Sequence, residues 1–271
     1  SIDEVARAKS ELAESLPREG LLILNADDER LWKLNKDRPV AKKSYALENR
    51  AADLVPVALS VTAQGGTRFA LADGTEVGLR ILGRHNVRNA LAAILVGDRF
   101  EVPRREAAAA LEALAPEKHR LELRSANGIH VLDDAYNANP SSMREALLLL
   151  GSIETRGERR AVLGDMLELG PDAERFHEEV GGLVPRDARL YVAGSFAEAV
   201  ERGARGAGLS ADRVRRFTSV PEMADAVVRD ARLGDLILVK ASRGMRLEQV
   251  VERLVPEARA ASDPLPAGGR T

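Results

Sequence analysis

A chain of 271 residues with 45% hydrophobic side chains is long enough to bury one large or two ordinary cores. Its formal net charge is -2 with both signs mixed, so no basic field favours nucleic acid and no polybasic stretch favours membrane insertion. The lack of cysteine excludes disulfide frameworks and thiolate metal sites. We therefore expect a cytoplasmic, monomeric protein whose partners are small molecules.

The first 118 residues predict helices around a small antiparallel meander. Because neither a start methionine nor a strand precedes the opening helix, we expect the chain to be cut from something longer. Alternating stretches broken at Gly65-Gly66 and Asp73-Gly74 are typical of antiparallel strands joined by tight turns. The expected elements are helices at 2–16, 28–34, 83–96 and 104–114, a strand at 21–24 and the meander between 43 and 82.

The region from 119 to 258 alternates strands and helices, which predicts an α/β, Rossmann-like domain with a mainly parallel, doubly wound sheet. The final stretch, 259–271, is rich in Ala, Pro and Gly, and we expect a disordered tail. The expected strands lie at 129–132, 161–163, 190–192, 214–217 and 236–239, and the expected helices at 141–150, 173–183, 197–207, 221–231 and 247–254.

The most specific segment reads DDAYNANP from Asp133 to Pro140, between an apolar strand and a helix that can begin at Pro140. Ligands in open α/β sheets bind beyond the carboxyl ends of strands, where carboxylates reach ribose hydroxyls and helix amides meet anions. The segment thus favours nucleotide or phosphate chemistry. The alternative is that Asn139 only caps the helix and Asn137 only fills a turn.

Two other polar features lie in the first region. Asn86 and Asn89 are one helical turn apart, and paired amides can donate to and accept from the edge of a base. Simple helix capping by Asn86 is the alternative. Lys9 lies on the opening helix and, taken alone, is best explained as a solvated lysine.

Two further strings follow strands of the second region. LGDMLELG spans 163–170 and VKASRG spans 239–244, so both reach the same sheet edge as the acidic segment. One string alone could be a turn, whereas three at one edge indicate a cleft.

Several familiar sites are missing from the sequence. No GxxxxGK[ST] phosphate loop occurs, and no GxGxxG follows a strand as a dinucleotide fold requires. The four histidines show no HExxH spacing, which argues against a zinc hydrolase.

Seven strings in chain order resemble the Mur ligases: ARAKSE, LNADDE, GRHNVRNALAA, HRLE, DDAYNANPSSM, VLGDMLELG and LVKASR. The strings DDAYNANPSSM and VLGDMLELG are specific to the branch of this family that joins D-alanyl-D-alanine to UDP-N-acetylmuramoyl-tripeptide. The resemblance implies an ATP-dependent ligase in peptidoglycan synthesis, in which ATP and Mg²⁺ convert a carboxylate to an acyl phosphate that an amine then attacks.

The resemblance also assigns domains. Residues 1–118 correspond to the rear part of the central ATP-binding domain, and 119–258 to the C-terminal acceptor domain. The first domain of the family and the phosphate loop are missing, so we expect this chain to be inactive alone.

On the nucleotide side, the resemblance assigns Lys9 to a lysine that can be carbamylated and then helps to hold magnesium. Carbamylation would turn a cation into the oxygen-bearing anion that magnesium prefers. His85, Asn86 and Asn89 match the adenine side. Arg120 matches an arginine near the nucleotide, although His119 replaces the common glycine before it, and Asp133 or Asp134 matches the acid near ribose.

At the reaction centre and on the acceptor side, the resemblance assigns five residues. Asn137 and Asn139 match positions that border the reaction centre. Ser195, Ser242 and Arg243 match loops that face the acceptor, where an arginine could pair with the dipeptide carboxylate.

Two alternatives remain from the sequence. One is another Mur-type amide ligase, similar to folylpolyglutamate synthetase, because the chemistry is shared. The other is a non-catalytic module that binds a nucleotide or peptide.

Overall fold

The computed structural model describes residues 2–62 and 65–256. Contacts between residues divide the chain into two compact units. The first unit comprises the described residues up to Ser60 together with Thr67–Leu79 and Arg84–Leu114. The second begins at Ala115 and also takes in the described parts of Val61–Gly66 and Arg80–Gly83. The tail expected at 259–271 lies outside the described residues, and the boundary at 118 stays a prediction.

The first unit is built from four helices and five strands among the described residues. A parallel pair, β1-β2, and a three-stranded sheet of order β3-β4-β5 form its strands. The helices are α1 (Ile2–Glu14), α2 (Glu29–Asn35), α3 (Arg84–Arg99) and α4 (Arg104–Glu112); the strands are β1 (Leu21–Asn25), β2 (Ala41–Tyr45), β3 (Pro56–Val61), β4 (Thr67–Leu71) and β5 (Glu76–Leu79).

One sequence expectation about this unit was wrong. The meander was expected to begin at Lys43, but Lys43 lies in β2 and is paired with Ile23 of β1 in parallel register. Alternation of side chains shows that a segment is extended, but it does not show which strand is its partner.

The start of α2 is determined locally. The carboxylate of Asp28 accepts a hydrogen bond from the backbone N–H of Leu31 at 3.0 Å, which satisfies a donor at the helix N-terminus. This cap fixes the turn Asn25–Asp28 directly after β1, where several polar side chains of the first unit gather.

The second unit contains a six-stranded sheet of order β10-β9-β8-β11-β7-β6. Five strands are parallel, and only the edge strand β6 is antiparallel to its neighbour. The strands are β6 (Glu122–Ala126), β7 (Ile129–Asp134), β8 (Arg159–Leu163), β9 (Arg189–Ala193), β10 (Val214–Phe217) and β11 (Leu236–Lys240); the helices are α5 (Pro140–Ser152), α6 (Ala173–Gly181), α7 (Ala197–Gly206), α8 (Val220–Asp230) and α9 (Glu248–Leu254).

Successive strand residues enter opposite cores, which confirms the doubly wound α/β architecture. Leu236 and Leu238 pack with α5, α6 and α7 on one face, whereas Ile237 and Val239 pack with α8 and α9 on the other. Burial on both faces explains why these strands read as continuous apolar runs. The edge strand β6, with its polar sequence ELRSA, was not predicted.

No helix among the described residues is both long and apolar enough to cross a membrane.

Candidate functional site

Four neighbouring parallel strands of the second unit end at one edge of the sheet. Strands β9, β8, β11 and β7 lie side by side in that order, and their carboxyl ends lead into polar segments. Because adjacent strands are separated by about 4.8 Å, residues that follow them are brought within contact distance. The sheet thereby gathers the three strings that the sequence placed at one edge.

Lys240 and Asp134 form a buried ion pair at this edge. They are Cα partners at the ends of β11 and β7, and Nζ of Lys240 donates to Oδ2 of Asp134 at 2.6 Å. The same ammonium donates to the backbone carbonyl oxygen of Asn137 at 2.8 Å. Lys240 is only 1% exposed, so its charge is satisfied by protein groups rather than by solvent. Burial raises the pKa of Asp134, and the Lys240 charge acts in the opposite direction.

Asp133, the neighbouring acid, is fully buried. Its Oδ2 lies 2.8 Å from Nδ1 of His119 and 3.6 Å from Nη1 of Arg124. Burial raises the pKa of Asp133, although His119 acts to lower it. The side chain of Asp134 is 15% exposed and that of Asp133 is fully buried, so only Asp134 of the two is open to a ligand. Which acid lies near ribose stays a prediction.

Tyr136 contacts two of the predicted arginines. The guanidinium of Arg120 lies 4.3 Å from the centre of the Tyr136 ring, and that of Arg243 lies 5.2 Å from it. Both are cation–π distances. One ring therefore connects the arginine predicted on the nucleotide side with the arginine predicted on the acceptor side.

The backbone on both sides of Arg120 has an unusual conformation. His119 and Leu121, which flank it, both have left-handed φ values, 61° and 57°. The carbonyl of His119 accepts the N–H of Tyr136 at 3.0 Å, and Leu121 is buried in the core. These contacts stabilise a conformation that non-glycine residues seldom adopt.

Asn137 and Asn139 are both exposed and both have local roles. The side-chain oxygen of Asn137 accepts the N–H of Ala138 at 2.8 Å. Asn139 is the N-cap of α5 and forms a reciprocal capping box with Ser142. Capping is thus present, and whether Asn139 also acts at a reaction centre stays a prediction.

Asp165 connects the loops after three strands. Its carboxylate accepts the backbone N–H groups of Ser195 at 2.7 Å and Phe196 at 3.1 Å, and its carbonyl accepts the N–H of Ser242 at 3.0 Å. The hydroxyl of Ser242 accepts the N–H of Leu167 at 2.9 Å. Ser242 is buried and its hydroxyl is already engaged, so a role of that hydroxyl with substrate stays a prediction, as does that of Ser195.

His177, on α6, contacts the loop that follows β8. Its Nε2 accepts the N–H of Met166 at 2.8 Å, so Nδ1 carries the proton and donates to the carbonyl oxygen of Ala173 at 2.6 Å. The ring stacks on Phe196 with 4.4 Å between centroids. His177 therefore organises the loop as a neutral imidazole.

Sequence reasoning assigned no role to Lys240, Asp165 or His177. Lys240 offered a signal, because it is one of few lysines and ends an apolar strand. Asp165 lay in a quoted string, yet nothing local indicated that distant N–H groups converge on it. His177 carried no signal beyond its place on a predicted helix.

Lys9 lies in a cleft of the first unit. The cleft has a volume of about 470 Å³ and is also lined by Asn25, Asp27, Asp28 and Arg88. Lys9 itself is exposed. The structure thus places Lys9 beside oxygen-bearing side chains, and its carbamylation stays a prediction.

Asp27 is the most constrained acid of this cleft. Its carboxylate accepts backbone N–H groups from Leu47 at 2.7 Å, Asn49 at 2.9 Å and Glu48 at 3.2 Å. Burial acts to raise its pKa, but these hydrogen bonds and the charge of Arg88 hold the pKa of Asp27 below its ordinary value. Asp27 is therefore an ionised carboxylate whose lone pairs are largely taken by the backbone.

The predicted adenine-side residues lie at the start of α3. Nδ2 of Asn89 lies 3.5 Å from Oδ1 of Asn86, and Asn89 is exposed while His85 and Asn86 are partly buried. The two amides share one helix face, as their spacing predicted. The structure leaves the amide of Asn89 open to solvent and able to meet a ligand.

Among residues 2–62 and 65–256, no group of three or more His, Cys, Asp or Glu side chains could hold a metal ion. Magnesium in nucleotide sites is commonly held by one or two carboxylates together with phosphate oxygens and water. The oxygens beside Lys9 fit such a sparse donor set, but they do not form a site that is complete without a nucleotide.

Two family descriptions match the chain. The Mur ligase middle domain matches residues 1–97, and the Mur ligase glutamate ligase domain matches residues 119–243. Together these two ranges contain every candidate residue described above.

The curated relatives include the UDP-N-acetylmuramoyl-tripeptide–D-alanyl-D-alanine ligase of Bacillus subtilis. It is 36% identical over 268 residues, which cover 94% of this chain and 55% of that protein. The ligase of the same name from Mycobacterium tuberculosis is 35% identical, covering 95% of this chain and 55% of that protein. The chain thus spans about half the length of the curated relatives it matches.

Solved structures share the fold. MurF from Acinetobacter baumannii superposes with a TM-score of 0.78 at 25% identity, covering 94% of this chain and 55% of that one. MurF from Thermotoga maritima, solved in complex with ADP, also has a TM-score of 0.78; at 22% identity, covering 94% and 57%, it supports the fold alone.

Proposed function

Because this chain belongs to the Mur ligase family, we propose that it forms part of an enzyme joining D-alanyl-D-alanine to UDP-N-acetylmuramoyl-tripeptide. The observation that carries the proposal is the 36% identity with the Bacillus subtilis ligase of that specificity, across 94% of this chain. The proposed reaction belongs to peptidoglycan precursor synthesis.

The proposed reaction has two steps. The substrate carboxylate attacks the terminal phosphorus of ATP and releases ADP, which leaves an acyl phosphate. The amine of the dipeptide then attacks the acyl carbon, an amide bond forms, and phosphate departs. Catalysis of such a transfer depends mainly on positioning the groups and stabilising phosphate charge.

Different residues are proposed to contact different parts of the nucleotide. Asn86 and Asn89, with His85 beside them, offer amide groups to the base. Asp134 offers a carboxylate oxygen to the ribose hydroxyls, and Arg120 offers a guanidinium to the phosphates. Magnesium, when bound, would screen phosphate charge, and carbamylated Lys9 would supply one oxygen ligand.

The dipeptide is proposed to bind at the sheet edge of the second unit. Arg243 is exposed and stacks on Tyr136, so its guanidinium is available for the carboxylate of D-alanyl-D-alanine. The loops that begin at Ser195 and Ser242 are fixed by Asp165 and would form the walls of that pocket.

We also propose that these 271 residues do not complete the reaction by themselves. A GxxxxGK[ST] loop occurs nowhere among them, and phosphoryl transfer requires donors that cradle the phosphates. Ligation therefore needs sequence beyond this chain.

A chimera tests the proposal. The chain replaces the matching part of the Bacillus subtilis ligase, and formation of ADP and amide product is measured with the UDP-linked tripeptide. We expect turnover with D-alanyl-D-alanine, little with free D-alanine or L-glutamate, and none from the 271 residues alone.

Three results would contradict this proposal in different ways. A chimera that prefers a free amino acid would indicate another Mur-type amide ligase. A well-folded chimera that binds ATP but never turns over would favour the non-catalytic binding module. Turnover by the 271 residues alone would refute the claim that they are insufficient.

A further inference from the structure

Lys240 occupies the centre of the sheet edge, and its backbone position is fixed from both sides. It is the Cα partner of Asp134 on β7 and of Leu163 on β8. Its carbonyl accepts the N–H of Gly164 at 3.1 Å. The side chain therefore starts from a rigid point between the DDAYNANP and LGDMLELG segments.

The two hydrogen-bond partners of its ammonium belong to one loop. Nζ donates to Oδ2 of Asp134 at 2.6 Å, where the loop leaves β7, and to the carbonyl oxygen of Asn137 at 2.8 Å, three residues later. The two hydrogen bonds fix the loop at both ends of the turn that carries Tyr136. A single side chain thus sets the conformation of a segment that begins at Asp134 and leads to the cap at Asn139.

Stability alone is a poor explanation for a lysine in this position. A buried ion pair gains little over well-packed apolar side chains, because both charges lose their hydration. Lys240 is 1% exposed and is surrounded in β11 by residues that are all buried. A leucine or methionine would suit that strand, yet it could not hold a carboxylate and a carbonyl in place.

We propose that Lys240 is a positioning residue that orients Asp134 and the Asn137 turn for the nucleotide, rather than a group that touches substrate. This inference rests on the proposed function only for the identity of the ligand. The ordering of the loop by Lys240 is a property of this chain and can be measured separately.

The first test is hydrogen exchange on the 271-residue chain, comparing wild type with Lys240→Met. Amides of Ala135, Tyr136 and Ala138 should exchange about tenfold faster or more in the variant, while those of Ile237 and Val239 within β11 stay protected. Lys36→Met, which removes an exposed lysine of the first unit, is the control and should change neither set.

Asp134→Asn provides a second route in case Lys240→Met does not fold. It keeps the lysine and its bond to the Asn137 carbonyl but weakens the ion pair, and we expect the same loop amides to exchange faster. The double variant should be no worse than the poorer single variant, since residues acting through one interaction are not additive.

The second test uses the chimera. Lys240→Met should raise KM for ATP about 10- to 100-fold, the scale of a lost hydrogen bond to a charged group, with a smaller effect on KM for D-alanyl-D-alanine. An inactive parent chimera would count against the proposed function, and loop exchange would still decide the role of Lys240.

Two outcomes would overturn the inference. Loop amides in Lys240→Met that exchange within twofold of wild type would show that the lysine does not order the loop. Uniformly faster exchange throughout the second unit, with KM for ATP unchanged, would show that Lys240 only stabilises the core.

Discussion

Asp165 and Gly194 lie so close that a Cβ atom added to Gly194 would be 2.3 Å from Oδ1 of Asp165. The closeness has a cause: the N–H groups of Ser195 and Phe196 converge on that carboxylate, which draws the backbone of Gly194 against it. Gly194 also has φ of 129°, which L side chains rarely adopt. One glycine thus allows the loop after β9 to bind the loop after β8.

Gly194→Ala should therefore destabilise the second unit by more than about 1 kcal/mol, because the methyl group both clashes and strains the backbone. Urea unfolding followed by circular dichroism measures the change. Gly206→Ala is the matched control: its Cβ would meet nothing within 4 Å, and alanine favours a helix, so it should stabilise by up to about 1 kcal/mol. Equal effects of the two variants would contradict the explanation.

Asp165→Asn should lower the free energy of unfolding by about 1–3 kcal/mol. An amide has one acceptor oxygen, so its NH₂ group would face one of the two N–H donors and leave it unsatisfied. Thermal and urea unfolding measure the loss. Asp172→Asn is the control: it removes an exposed ion pair with Arg175 and should change stability little. If Asp172→Asn lowered stability as much as Asp165→Asn, the hydrogen bonds of Asp165 would not be the cause.

Substitutions at Asn139 separate capping from chemistry. Asn139→Ala should cost about 1 kcal/mol because it removes the N-cap of α5, whereas Asn139→Asp should keep stability, since aspartate caps equally well. If Asn139 also borders the reaction centre, Asn139→Asp should still lower kcat of the chimera by about tenfold or more, because it adds a negative charge near phosphate. Unchanged kcat in Asn139→Asp would leave capping as the whole role.

Tyr136 should matter through its ring and not through its hydroxyl. Tyr136→Leu removes the surface on which Arg120 and Arg243 stack, so KM of the chimera for both ATP and D-alanyl-D-alanine should rise by about 3- to 30-fold, the scale of one or two cation–π contacts. Tyr136→Phe keeps that surface and should behave as wild type. A strong defect in Tyr136→Phe would place the function in the hydroxyl and contradict the stacking explanation.

Asp27 should stabilise the first unit in a pH-dependent way. Its pKa is lower in the folded chain than the unfolded value of 3.8, chiefly because backbone N–H groups oppose the effect of burial. The contribution of Asp27 to the free energy of unfolding is therefore present above about pH 4 and is lost as the pH falls through the folded pKa. Asp27→Asn should destabilise the first unit by about 1–3 kcal/mol at pH 7, and this loss should become smaller as the pH falls below about 4.

Urea unfolding at several pH values measures this difference. Asp28→Asn is the control for Asp27→Asn, because asparagine caps a helix as well as aspartate and should leave α2 stable at every pH. A deficit of Asp27→Asn that persists unchanged at pH 3 would contradict the assignment to an ionised carboxylate.

Most of the doubly wound domain could be predicted from the sequence. The apolar runs at 129–132, 161–163 and 236–239 are separated by helices with an apolar face, and such alternation permits few arrangements other than a parallel sheet covered on both sides. The edge strand β6 escaped prediction because only one side of it meets a partner, so its sequence can be polar.

The candidate site, too, could be predicted from the sequence only in part. The sequence alone determined which residues could carry chemistry, namely the acids and amides of 133–139, the amides of α3 and the polar strings that follow strands, because these depend on residue type and local spacing. Only the tertiary structure decided how they are held. Lys240 and Asp134 are 106 positions apart, and Asp165 and Ser195 are 30 apart.

Those pairings follow from the strand order, in which β11 lies between β7 and β8 and β9 lies beside β8. Strand order is set by packing of whole helices and strands into two cores, a property that no short window of sequence contains. In the second unit, the sequence therefore specified a set of candidate groups at one edge of the sheet. The fold decided that Asp133 is fully buried, that Asp134 stays partly exposed, and that Lys240 forms the ion pair with Asp134.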